Sequence, residues 1–318
     1  ENKEIVEYLI SVGADVNVRT KDGETALLSV CKLKNKDIAE YLISSGADIN
    51  AKTNNGWTVL MSACEKGNIE LVQYLVSSGA DVNARTDNGF TTLMQACKSE
   101  NKEIIEYLIS VGVDINAKTD DGGTALMSAC EKGNKDIAEY LISVDADINA
   151  KTNKGKTVLM SACEKGNKEI IEYLISVGAD INAKTNDGFT TLMQACYSGN
   201  KEVVEYLISL GVDVNARTKN GETAFLQASI YGEKELLEYL VSLDADFNVK
   251  TDYGYNGLFS ACFRQEALKY LIAIGVDITS RDYRGWTVLM NAISLGMWID
   301  NDTVKYLISK GADINEVT

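Results

Sequence analysis

The stretch Thr157–Lys184, TVLMSACEKGNKEIIEYLISVGADINAK, decides the fold because it recurs along the whole chain. Its Gly178 ends an apolar run. Steps of 33 residues from there reach Asp145, Gly112, Gly79, Gly46 and Gly13 in one direction, and Gly211 and Asp244 in the other. The next turn repeats alike at Gly23, Gly56, Gly89, Gly122, Gly155, Gly188 and Gly221. A fixed period of this length predicts stacked supersecondary units, each too small to bury its own apolar face. Within the unit, the Thr157 hydroxyl is placed to cap a helix carrying Leu159, Met160, Ala162 and Cys163. Gly166-Asn167 breaks that helix, and Ile170, Ile171, Tyr173, Leu174 and Ile175 give the helical spacing of a second one. Gly178 then ends the second helix in the left-handed region. Asp180-Ile181-Asn182-Ala183 is too short and polar for a sheet core, and with Asn186-Asp187-Gly188 it predicts a hairpin-like turn.

In its length, its Thr-x-Leu-x-x-Ala opening, its Gly-Asn between helices and its Gly-Ala-Asp-Ile-Asn close, this unit resembles the ankyrin repeat, and the resemblance covers essentially the whole chain. It implies an all-α solenoid of stacked helix-turn-helix units with hairpin-like turns, elongated and curved. The chain departs from the family's Thr-Pro-Leu-His pattern, since it contains no Pro and no His. Val158, Ala125, Thr191 or Ala224 stands at the Pro position, and Met160, Met127, Met193 or Leu226 at the His position. The first loses the helical turn that Pro pre-sets; the second exchanges hydrogen bonding for apolar packing between repeats.

The expected organisation is a single array over residues 1–318, with a half repeat at 1–19 and then units beginning near Thr20, Thr53, Thr86, Thr119, Thr152, Thr185, Thr218, Thr251 and Asp282. Neither end carries a polar capping repeat, which points to a monomeric array within a longer chain or to ends closed by a partner. A longer period overlies the short one: Phe90-Thr91-Thr92-Leu93-Met94-Gln95 returns as Phe189-Thr190-Thr191-Leu192-Met193-Gln194. Asp145 and Asp244 belong to the same duplication, so they read as residues tolerant of the left-handed region and not as a metal pair. The period breaks twice, at a shortened loop over Phe263–Leu268 and at an insertion over Ala292–Asp302, whose Asp300, Asn301 and Asp302 suit a helix start.

The formal charge of −15 opposes binding to nucleic acid or to an anionic membrane, and it is compatible with a soluble array or a basic or neutral partner. Six of the seven cysteines fall on the period, at Cys31, Cys64, Cys97, Cys130, Cys163 and Cys196; Cys262 is the equivalent in the shortened repeat. Stacked neighbours about 10 Å apart are beyond disulfide reach, so these read as small buried thiols in a reducing, cytoplasmic setting. The resemblance includes injected bacterial effectors, which leaves a secreted destination open.

Without His there is no Ser-His or Cys-His pair, and there is no Gly-rich phosphate loop. Carboxylates such as Glu169 and Glu172 recur with the period as solvated helix faces. Neither an enzyme nor a cofactor or metal site is expected. The resemblance implies partner binding on a concave side built from turn tips and first helices, the partner being a protein or peptide. At matching positions lie Trp57, Phe90, Phe189, Tyr255 and Trp286 after the turn Gly, and Tyr197, Ile230 and Phe263 after the cysteine position, joined by Tyr231, Tyr253 and Tyr283. Such aromatic clusters supply interface anchors. The polar row Ser62, Gln95, Ser128, Ser161, Gln194 and Gln227, set in an apolar helix, is expected to face the groove. The alternative is a structural spacer or the regulatory arm of a larger protein, which the near-identity of the middle units favours.

Overall fold

A computed structural model describes residues 2–294, 301–312 and 314. The segment Leu295–Asp300 of the insertion, and Asp313 and Asn315 of the last unit, lie outside the described residues. Among the described residues the chain forms nineteen helices joined by turns, with only isolated β-bridges between turn strands. Packing density divides it into two compact units, Glu1–Asn153 and Lys154–Thr318, and the repeat period runs through both.

The unit of Thr157 shows why each residue stands where it does. The Thr157 Oγ1 accepts the Met160 N–H at 3.2 Å and opens the helix Val158–Lys165. Gly166, at φ 75°, closes it in the left-handed region. Asn167 then caps the helix Lys168–Ser176, its side chain accepting the Ile170 N–H at 3.2 Å. The second helix ends in a Schellman motif: the Gly178 N–H donates to the Ile175 carbonyl at 3.2 Å and the Ala179 N–H to the Leu174 carbonyl at 2.9 Å. Asp145 and Asp244 adopt the same left-handed conformation as Gly178, at φ 69° and 58°. The hairpin-like turn follows, with the Thr185 N–H donating to the Phe189 carbonyl at 3.0 Å and Lys184 bridging Thr190.

Burial matches the apolar spacing. Val158, Leu159, Met160, Ala162 and Cys163 of the first helix are buried, as are Ile170, Ile171 and Leu174 of the second. All seven thiols are buried and none forms a disulfide. The methionines at the family's His position pack as apolar groups, and two do more: Met94 and Met193 accept the Thr91 and Thr190 N–H on sulfur at 3.4 Å.

Two ladders of hydrogen bonds stack the repeats. In the turn tips, Asn54 N–H donates to the Asp22 carbonyl at 2.9 Å, and Asp87, Asp120 and Asn153 continue the series in the first unit. Asn186, Lys219, Asp252 and Tyr283 do the same in the second. At the repeat close, Asn17 accepts the Asp48 N–H at 2.8 Å and donates to the Gly46 carbonyl at 2.9 Å. Asn116 and Asn215 repeat that double contact with Asp147/Asp145 and Asp246/Asp244. One asparagine thus satisfies two backbone groups of the following repeat, where water would otherwise compete.

Thr92 and Thr191 are the two buried side chains left with an unpartnered hydroxyl among the described residues. Val59, Val158 and Val288 fill the same place in other repeats and are fully buried. Thr92→Val and Thr191→Val keep the shape and remove an uncompensated polar group, so each is expected to stabilise its unit by about 1 kcal/mol. A rise in urea midpoint checks this, and a fall contradicts it.

The C-terminal irregularity shortens the first helix of its repeat to Gly257–Ser260. Asn256 replaces the capping Thr and bonds the Leu258 N–H at 3.1 Å, and the next helix, Gln265–Ala273, starts without a side-chain cap. The helix expected at Asp300, Asn301 and Asp302 runs over Asn301–Ser309, with Asp300 outside the described residues.

Candidate functional site

In the first unit Trp57 and Phe90 stand on successive turn tips and stack with ring centroids 6.3 Å apart and planes 11° apart. The Trp57 indole N–H donates to Ser62 Oγ at 3.0 Å, which fixes the ring edge to the floor. The Lys98 ammonium lies over the Phe90 ring, 4.6 Å from its centroid. Open concavities of about 590 and 480 Å³ adjoin this stack, and Trp57 lines both.

In the second unit the aromatic residues separate into two groups. Tyr197 and Tyr231, at the C-terminal ends of first helices, meet edge to face at 5.7 Å. On the turn tips, Tyr253 and Tyr283 meet at 5.8 Å, and Tyr255 packs against Phe259 at 5.3 Å. Arg284 ties the second group together. It lies 4.4 Å from the Trp286 ring and 5.6 Å from Tyr283, and donates to the Tyr255 hydroxyl at 3.4 Å. No ring contact among the described residues joins the two groups, because the turn tips and the C-termini of the first helices lie at opposite ends of those helices. Tyr197, Ile230, Tyr231, Tyr253, Phe263 and Tyr283 are exposed, Tyr283 most of all at 68%. Phe189, Gln194, Tyr255 and Trp286 are half-buried.

The polar row lies deep beneath the turn tips. Ser62, Gln95, Ser128, Ser161 and Gln227 are buried. Gln95 reaches both concavities from below. Gln227 is directed at its own repeat, where its amide donates to Glu222 Oε2 at 3.1 Å. Ser62 and Gln227 are each bonded by a side chain of their own turn tip, the Trp57 indole and the Glu222 carboxylate. Burial pushes the Glu222 carboxyl up from the usual carboxylate range, and the nearby Asp187 charge adds to this.

Arg284 is the participant that residue pattern alone did not reveal. In other turns Thr185 Oγ1 accepts the Phe189 N–H at 2.9 Å and donates to Asp187. In this turn Asp282 takes the Thr position and Arg284 the Asp position. Asp282 accepts from the backbone of Trp286 at 2.9 Å and from Arg284 Nη2 at 2.7 Å. Burial opposes ionisation of Asp282, but the guanidinium and these N–H groups outweigh it and hold its carboxyl below the ordinary range. The exchange of Thr for Asp at 282 together with Asp for Arg at 284 was the available signal.

Burial also disposes of the thiols as chemistry. It pushes Cys31 and Cys130 up to about 12 and Cys262 to about 11. A thiol pKa raised in the folded state gives stability that is full below the unfolded value of about 8.5 and is lost as pH climbs toward these values. The seven thiols are therefore expected to resist a disulfide reagent at pH 8 and to react together on unfolding; fast reaction of any one in the native chain contradicts this.

Stacked helix-turn-helix units with bonded hairpin tips define a repeat solenoid. The chain belongs to the ankyrin repeat family: the family model of ankyrin repeats (3 copies) matches residues 1–86, 84–152, 146–218, 178–251 and 225–318. Such repeats are generally protein–protein interaction domains and typically non-catalytic. Among solved structures, the ankyrin repeat domain of human ASB11 is similar in fold. It is 23% identical, with a TM-score of 0.62, over 70% of this chain and 99% of that one. No curated protein matches the chain. Among the described residues, no helix is long and apolar enough to cross a membrane.

Proposed function

We infer that this chain is a non-catalytic scaffold that receives a protein or peptide on the side formed by its turn tips and first helices. The observation that carries the reading is the exposure of Tyr197, Tyr231, Tyr253 and Tyr283, each 40% or more accessible and each paired edge to face with another. Edge-to-face pairing holds the rings in place before a partner arrives, and rigid Tyr side chains bring large area at small entropic cost. Tyr255 and Trp286, half-buried, hold the Arg284 that lies against Tyr283; Phe189 is half-buried on its own turn tip, and Ile230 and Phe263 are exposed beside the helix-end group. Buried thiols outside any disulfide favour a reducing, cytoplasmic setting.

The spacer reading has its own support. The helices Lys102–Ser110 and Lys168–Ser176 are identical in sequence, as are Lys36–Ser44 and Lys135–Ser143. A spacer needs no individual residues, whereas the aromatic groups lie only at some repeats.

Affinity capture separates the two. A variant with Tyr197, Tyr231, Tyr253 and Tyr283 all changed to Ser leaves the Arg284–Asp282 brace intact. Proteins retained by the native chain are expected to be lost from this variant, at unchanged helicity. Equal retention by both would remove the tyrosines from the binding surface, and no retention by either would favour the spacer.

A further inference from the structure

In the first unit, the aromatic stack has a cation at only one end. Lys98 covers Phe90, and Phe90 covers one side of Trp57. Phe90 lines only the concavity of about 480 Å³, whereas Trp57 also forms the wall of the one of about 590 Å³. The indole, its N–H bonded to Ser62, lines that larger space as well. The lining carries three carboxylates, Asp22, Glu24 and Glu65, and one ammonium, Lys32, while a second ammonium, Lys66, lies 3.5 Å from Glu65 just outside it. The Lys32 ammonium is committed, bonded to Glu24 at 2.8 Å. The pairing also lowers the Glu24 carboxyl, which stays ionised. Asp22 and Glu65 are exposed at the rim, and Asp22 sits on a turn whose carbonyl is fixed by Asn54 at 2.9 Å.

An electron-rich ring face in a hollow whose carboxylates outnumber the ammonium groups attracts a cation. An anionic side chain would meet the same carboxylates and be repelled. We propose that this concavity binds an arginine or lysine side chain of a basic peptide segment, stacked on Trp57, paired with Asp22 and sharing the exposed Glu65 with Lys66. The proposal rests on the protein-binding reading above and adds the chemistry of the partner at the first unit. The chain's formal charge of −15 acts in the same direction by drawing basic segments toward it.

The test follows the indole N–H resonance of Trp57 by NMR in the full chain, assigned with a Trp57→Phe variant. The probes are the peptide acetyl-Ala-Arg-Ala-Ala-amide, its citrulline analogue, which keeps the shape and loses the charge, and its Glu analogue. The Arg peptide is expected to move the resonance saturably. The citrulline peptide should bind at least about 5-fold more weakly, as should the Arg peptide with an Asp22→Asn, Glu65→Gln variant of unchanged helicity. The Glu peptide should leave the resonance in place, and added salt should weaken the Arg response. Equal binding of Arg and citrulline peptides, a response to Glu, or no response to Arg up to about 20 mM, where even a very weak site would fill, overturns the proposal. Any of these leaves tyrosine-dependent capture by the second unit standing, because that experiment changes none of the residues invoked here.

Discussion

Phe225→Ala should destabilise the second unit by about 3–5 kcal/mol, the usual cost of emptying a fully buried aromatic site. Phe225 is 1% exposed and occupies a position that is Leu in every other repeat, among them Leu192 and Leu258. Room for the larger ring comes from the next repeat. Gly257 stands where the other repeats carry Ala, Val or Thr, as at Ala224, Val288 and Thr191. A methyl group at Gly257 would lie 3.4 Å from Phe225 Cε1, 3.4 Å from Leu271 Cδ1 and 3.1 Å from Ser229 Oγ. The pair is a large residue fitted to a missing side chain across one inter-repeat contact. Gly257→Ala alone gains helix propensity but presses on Ser229 Oγ and closes the space beside the ring, while Phe225→Leu alone leaves a void. Together they restore the pattern of the other repeats, so the double variant should be more stable than the sum of the single effects predicts by about 1 kcal/mol or more. Urea denaturation of the four proteins measures that coupling, and additivity within about 0.5 kcal/mol would falsify the fit.

The second large effect concerns two glycines of one repeat. Gly155 and Gly178 both adopt positive φ, +83° and +104°. At Gly178 an added methyl group meets nothing within 4 Å; at Gly155 it comes within 2.9 Å of Thr185 Cα and Asn186 N. Gly178→Ala should therefore cost only the left-handed conformation, about 1–2 kcal/mol. Gly155→Ala adds forced displacement of the neighbouring turn, about 1–3 kcal/mol more. It also pushes apart the bond from the Asn186 N–H to the Lys154 carbonyl, now 2.9 Å. Thermal unfolding of the two variants should differ clearly; equal losses would mean that the turn tips yield without cost. The chain already contains one half of this experiment, since Asp145 and Asp244 take the Gly178 position at φ 69° and 58°, while the Gly155 position is Gly in every complete turn.

The repeat period, both helices of the unit, the Thr cap of the first and the Gly stop of the second, the buried thiols and the family were legible from residues alone; the Asn cap of the second helix was not. Each depends on short-range rules, such as helical spacing, capping chemistry and positive φ, and these rules act alike on every copy. The residues Trp57, Phe90, Tyr197, Tyr231, Tyr253 and Tyr283 could be named by offset for the same reason. What each side chain does was decided by its neighbours one repeat away. Gln227 is polar, yet it lies buried under Glu222. Arg284 is charged, yet it is held between rings by a buried Asp282. Asn17 reads as part of a turn and serves as a clamp on the following repeat. Periodicity assigns the face on which a residue stands, but only tertiary packing determines whether a neighbour's side chain covers it, and that contact separates the aromatic residues into a free surface and an internal brace.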